Sequence, residues 1–192
     1  MANIELSRKE QTLRAYPTGA AFATEMNPVN CMIRFSEYNT PEKCACSNKL
    51  TLSEIIATYG NDFAIDFLQA WLINLNMFVN VKNRLEENQL FEISLIMKED
   101  NLKLNIADLA FIFRRVKSGF YGKLFNSLSG EFILNCFAEY RLEREKSLHR
   151  HSKNAQDSNN IYNQASFLTK GLEYMPNTRA FLSKLKKESK RP

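Results

Sequence analysis

Residues Leu104 to Arg144 read LNIADLAFIFRRVKSGFYGKLFNSLSGEFILNCFAEYRLER, and their spacing decides the fold class. Two helical patterns flank a short turn. In the first, Asn105 stands where an N-cap belongs and Asp108 follows three residues later, where a carboxylate answers free N–H groups. Leu109, Ile112, Phe113 and Val116 then recur at steps of three and four. The second pattern starts at Ser129 as cap, puts Glu131 in the electropositive first turn, and continues through Phe132, Ile133, Cys136, Phe137 and Tyr140. Between them lies Lys117-Ser118-Gly119-Phe120-Tyr121-Gly122-Lys123, a turn that is both basic and aromatic.

Working outward, the same periodicity recurs. Thr51-Leu52-Ser53-Glu54 is a capping box ahead of Ile55, Ile56 and Tyr59, and Gly60 is placed to stop that helix in the left-handed conformation. Asn61 or Asp62 caps the next helix. There Phe63, Phe67, Trp71, Leu75 and Phe78 form a stripe wide enough for a central core helix over about 62–81, with Trp71 as its anchor. Residues 80–89 are polar. From Asn88 to Asp100 the pattern is apolar on most sides, which predicts burial between neighbours. Connections this short predict antiparallel neighbours. The expectation is an all-α protein with a compact bundle of four to five helices over 51–148, and a polar linker with a short basic helix over 149–192. The N-terminal extension over 1–50 is expected to be irregular, apart from a short candidate helix from Ser7 to Ala15 and plausible helix starts at Pro28 and Pro41. Only six glycines and five prolines interrupt 192 residues, and 44% of the residues are hydrophobic, enough for a real core.

Charge is unevenly spread. Residues 141–192 hold 12 Lys/Arg against 5 Asp/Glu, a balance of +7, whereas residues 1–140 hold 14 against 16, a balance of −2. A flexible basic C-terminal extension of this kind predicts either an acidic partner, nucleic acid being the commonest, or a solvated tail. No secretory signal is read in the polar opening residues, and no apolar run reaches the ~18 residues a membrane span needs. The expected setting is therefore cytoplasmic and reducing, without membrane association. Cys31, Cys44, Cys46 and Cys136 are then free thiols, mostly small buried residues. A zinc site would need Cys136, His149 or His151 to complete the set, and no metal or cofactor is expected.

No catalytic constellation is present. The chain lacks a G-x-x-x-x-G-K-[ST] loop, G-x-G-x-x-G, H-E-x-x-H and G-x-S-x-G, and both histidines fall in the polar tail. A non-enzymatic role is expected. The candidate binding residues are Arg114, Arg115, Lys117, Tyr121 and Lys123 at the turn, with Lys184, Lys186, Lys187 and Lys190 in the tail. Two readings of the turn stay open. Either Phe120 and Phe125 plug the bundle end beneath solvated cations, or the cations meet phosphates on one exposed patch while Tyr121 stacks on a base or packs on a partner.

The run of a capped short helix, a long core helix, Ile106-Ala107-Asp108-Leu109, the 117–123 turn, and Tyr140 to Arg144 resembles the small all-helical replication proteins of phages and bacterial mobile elements. These include the replisome organisers and helicase loaders. The resemblance covers about residues 51–145. It implies a role in DNA replication or maintenance, with DNA and a replicative helicase or other host protein as partners. The rival expectation is a phage or bacterial regulator that binds a host protein without touching nucleic acid.

Overall fold

The fold is described from a computed structural model, which covers the backbone of residues 6–122 and 127–173 and the side chains of those up to 157 other than 155. Among the described residues the chain is all-α, as expected: α1 (Arg8–Ala15), α2 (Gly19–Glu25), α3 (Pro28–Arg34), α4 (Pro41–Ala45), α5 (Leu52–Tyr59), α6 (Asn61–Phe78), α7 (Glu87–Asp100), α8 (Ile106–Lys117) and α9 (Gly130–Glu173). The chain divides into a unit of residues 1–148 and a second unit of residues 149–192.

The described residues form nine helices, not four to five, because the N-terminal region, expected to be irregular apart from Ser7 to Ala15, carries four of them. Its helices are short but each is properly started. The side chains of Ser7, Thr18, Asn27 and Thr40 accept N–H groups of their own first turns, and Pro28 and Pro41 occupy first helical positions where a missing N–H costs nothing. Helices of five to eight residues are not stable alone. These are held by what they bury: Phe22, Cys31, Phe35 and Cys44 all enter the core of the first unit. Phe22 sits in a ring cluster with Tyr16, Tyr59, Phe63 and Phe67 at centroid separations of 5.3–6.0 Å.

The central helix is α6. Its inward face carries Ala64, Phe67, Leu68, Trp71, Leu72 and Leu75, and Trp71 is fully buried against Phe113 of α8, centroid to centroid 5.1 Å. The helix ends at Phe78, earlier than residue 81, and Phe78 is exposed. Gly60 ends α5 with φ +95° and ψ +168°, a positive φ but an extended ψ, so it is not a left-handed helical stop. That one residue is both the C-cap of α5 and the N-cap of α6, and neither Asn61 nor Asp62 caps α6. Helix α7 packs along α6 and buries Leu90, Ile93, Ser94 and Met97. Contrary to the expected burial between neighbours, Phe91 and Ile96 of α7 are exposed.

Two capping boxes join α5 to α8. Thr51 with Glu54 and Asn105 with Asp108 each form a reciprocal box, and the two N-caps are partners in an antiparallel bridge. Leu52 N–H donates to Leu104 O at 2.9 Å, and Ile106 N–H donates to Leu50 O at 3.0 Å. The Asn105 side-chain amide donates to Cys44 O at 2.8 Å, which ties α4 to the same point.

In the second unit, α9 continues to Glu173, so residues 149–166 are helix rather than linker. The stretch is rich in Asn, Gln and Ser, yet contains no proline or glycine. Extending a helix that already exists fixes one residue at a time and avoids the nucleation cost that would forbid such a sequence from starting one.

Candidate functional site

The turn after α8 forms because Gly119 adopts φ +75° just past the helix. Phe120 N–H donates back to Arg115 O at 3.0 Å and Gly119 N–H to Val116 O at 3.1 Å, the two bonds of a Schellman C-cap. That motif brings the residue after the glycine onto the third residue from the helix end. Here the pair is Phe120 and Arg115, with the guanidinium 4.1 Å from the ring centroid. Phe120 is accordingly 58% exposed instead of plugging the bundle end.

The cations do not form one free patch. Arg114 turns to α3 and donates to the carbonyls of Phe35 at 3.0 Å and Ser36 at 3.2 Å, satisfying groups left open at that helix C-terminus. Arg115 lies between the rings of Phe111 and Phe120 and grips both carboxylate oxygens of Glu143 on α9. Burial pulls its pKa down, but Glu143 and Tyr121 together outweigh this and the net shift is upward. Lys117 donates to the Asn74 side chain on α6 and stands 4.9 Å from the Phe78 ring, and burial lowers its pKa. The three side chains thus fasten α8 to three different helices. Tyr121 is half-buried, and desolvation pushes its hydroxyl up to about 12. Lys123, Lys184, Lys186, Lys187, Lys190 and Phe125 lie outside the described residues.

A second polar centre was legible only as a helix cap. Asp108 is fully buried. Its carboxylate accepts the Asn105 N–H at 2.9 Å, the Tyr140 hydroxyl, and Arg144 Nε at 3.2 Å to each oxygen. Burial raises the Asp108 pKa, while the charge of Arg144 and the bonds from Tyr140 and Asn105 oppose that rise. Burial likewise raises Tyr140, with the Asp108 charge acting in the same direction. Beside this node is a cleft of about 420 Å³ lined by Glu99 to Leu104 and by Arg141, Arg144 and Glu145. Arg141 is part of this lining and donates to Asp100 O at 3.0 Å and to Asn101 Oδ1 at 3.2 Å. The arrangement holds α9 onto the start of α8.

All four cysteines are free; Cys31, Cys44 and Cys136 are buried and Cys46 is exposed. Desolvation pushes each of the three buried thiols up to about 12. No group of three or more His, Cys, Asp and Glu among the described residues is arranged to hold a metal ion, and no described helix is long and apolar enough to cross a membrane. Compared with known proteins, the chain matches no protein-family model, no curated sequence and no solved structure.

Proposed function

We propose that this chain is a non-enzymatic protein-interaction module of the cytoplasm, the phage or bacterial regulator of the two expected roles. The observation that carries the reading is the contrast between its cations and its apolar side chains. Arg114, Arg115 and Lys117 are engaged within the chain, so phosphate contacts would have to displace bonds that hold α3, α6 and α9 in place. Meanwhile Val29, Ile33, Ile73, Met77 and Phe91 stand in solvent on α3, α6 and α7. Isolated exposed apolar residues are ordinary, but pairs one helical turn apart, Val29 with Ile33 and Ile73 with Met77, are what helix-mediated recognition uses. Titration of the full chain with duplex and single-stranded DNA at two salt concentrations tests the reading. Neutralising Arg114, Arg115 and Lys117 together should lower stability and leave any DNA affinity unchanged. A fall in DNA affinity with a flatter salt dependence would overturn it.

A second reading has its own support in the charge of residues 141–192, +7 from 12 cations and 5 anions. In that reading the basic quarter binds nucleic acid without regard to sequence during replication or maintenance of a phage or mobile element, with a replicative helicase as a further partner. Loss of salt-dependent DNA binding on deletion of residues 174–192 would favour it.

A further inference from the structure

The α6–α7 hairpin has an outer surface whose composition specifies a type of partner. Going round α6, the inward face takes Phe67, Leu68, Trp71, Leu72 and Leu75, which leaves Asp62, Asp66, Ala70, Ile73 and Met77 on the outward face; all five are exposed. Met77 is 72% exposed, an unusual degree for a side chain of that size and polarity. On α7, which packs along α6, the outward face takes Phe91, Glu92 and Glu99. The two helices run in opposite directions from the 79–86 loop. Ile73 lies six residues before that loop and Phe91 five after it.

Acidic residues outnumber basic ones in the segment that carries these apolar side chains. Residues 61–100 contain seven acidic residues (Asp62, Asp66, Glu86, Glu87, Glu92, Glu99, Asp100) and three basic ones (Lys82, Arg84, Lys98), a balance of −4. Asp100 pairs with Arg141, whereas Asp62, Asp66 and Glu92 form no ion pair among the described residues. Asp62 and Asp66 lie on the same exposed face of α6 as Ile73 and Met77, nearer the start of the helix.

The geometry points to the outer face of α6–α7 as a docking surface for a basic amphipathic helix of a partner protein. The partner's apolar side lies along Ile73, Met77 and Phe91, and its lysines or arginines meet Asp62, Asp66 and Glu92. This deepens the protein-interaction reading and rests on it. A helix laid into such a site is held by a few apolar anchors at one-turn spacing, and the surrounding charges set encounter rate and partner choice.

The test uses the full chain and three synthetic peptides: an amphipathic helix of leucine and lysine, its leucine–glutamate counterpart, and a proline-broken leucine–lysine version. Binding is read by fluorescence anisotropy at low and high salt. The leucine–lysine helix should bind, more weakly at high salt, and the other two should not. Ile73→Asp with Met77→Asp should weaken it by about tenfold or more, as loss of anchors does. Asp66→Lys with Glu92→Lys should weaken it at low salt, with the difference from wild type shrinking at high salt. Leu142→Asp, at an exposed site on α9, should leave it unchanged. Unchanged Trp71 fluorescence and melting confirm that each variant is folded. Equal binding of the leucine–glutamate peptide, or an Ile73→Asp/Met77→Asp affinity within about twofold of wild type, would overturn the assignment. So would sedimentation showing a wild-type dimer that this variant dissociates, which would give the surface to a second copy. Co-purification from the native host separates this failure from failure of the parent reading. If wild type and variant retain the same protein partner, the interaction reading stands and this surface does not; if both retain nucleic acid and no protein, the reading itself falls.

Discussion

Replacing Arg144 by methionine tests whether the Asp108 node fastens α9 to the start of α8. The Arg144 side chain is 14% exposed and its partner Asp108 is wholly buried, so solvent screening is slight and the small value typical of surface ion pairs does not apply. Methionine keeps most of the stem packing and removes the charge. Asp108 then keeps the Asn105 N–H and the Tyr140 hydroxyl but faces no cation from Arg144. Removing one partner of a buried pair costs about 3–5 kcal/mol. At ~2–4 °C per kcal/mol for a domain of this size, the melting temperature should fall by ~6–20 °C. Burial already raises the Asp108 pKa, and Arg144 is the strongest of the groups that oppose it. In Arg144→Met the folded-state pKa therefore rises further above the unfolded one. The penalty is present above the folded pKa and vanishes below the ordinary aspartate value of ~3.9, so the deficit should be largest at neutral pH and should narrow as the solution is acidified. Adding Asp108→Asn to Arg144→Met removes the stranded charge and should recover part of the loss. Urea and thermal unfolding followed by Trp71 fluorescence and circular dichroism measure all three variants. A loss below ~1 kcal/mol, or a deficit independent of pH, would show that the pair behaves as a surface contact and refute the argument.

Trp71→Ala should cost about 3–5 kcal/mol in urea unfolding, and Trp71→Phe distinctly less, because the buried indole N–H finds no acceptor among the described residues. In the native protein a thiol reagent should modify Cys46 alone, with Cys31, Cys44 and Cys136 reacting only after denaturation; four rapid reactions would contradict the packing. Burial has pushed those three thiols up to about 12, so their contribution to stability is complete below the ordinary thiol pKa of ~8.5 and is lost as pH rises from there to about 12, where stability should decline in alkaline titration. Gly19→Ala should destabilise by about 1–3 kcal/mol, since its Cβ would lie 2.6 Å from the Phe63 ring inside the aromatic cluster; a neutral result in thermal melts would mean that the cluster yields.

What could be read from the residues divides by the range of the physics involved. Helix starts are local, and the boxes at Thr51 and Asn105 formed as their spacing requires. The core side of α6 was equally legible, because Trp71 and its neighbours recur at the helical period. Of the N-terminal helices only α1, from its cap at Ser7, was legible; α2 to α4 were not, although Pro28 and Pro41 stood at plausible helix starts. Segments this short owe their order to Phe22, Cys31 and Cys44 reaching a core built by residues far along the chain. The helical continuation past residue 148 was missed for a different reason: a composition that would not nucleate a helix was read as one that could not extend one.

The basic turn shows most clearly where local reading fails. Three cations in the last turn of a helix have an adequate local explanation in the negative end of the helix dipole, and from that explanation their heads would lie in solvent. Their partners are distant: Glu143 lies 28 residues from Arg115, Asn74 lies 43 from Lys117, and Phe35 lies 79 from Arg114. Arginine at two of the three positions was the available signal. A planar guanidinium suits stacking between Phe111 and Phe120 while it is bidentate to a carboxylate, whereas lysine serves as well at a merely solvated site. Arg115→Lys should therefore be destabilising despite conserving charge, by loss of both the fork to Glu143 and the ring sandwich, and Glu143→Gln should remove much of the same stability. If both substitutions leave urea unfolding unchanged, Arg115 is a solvated cation after all, and the turn again becomes available to phosphates.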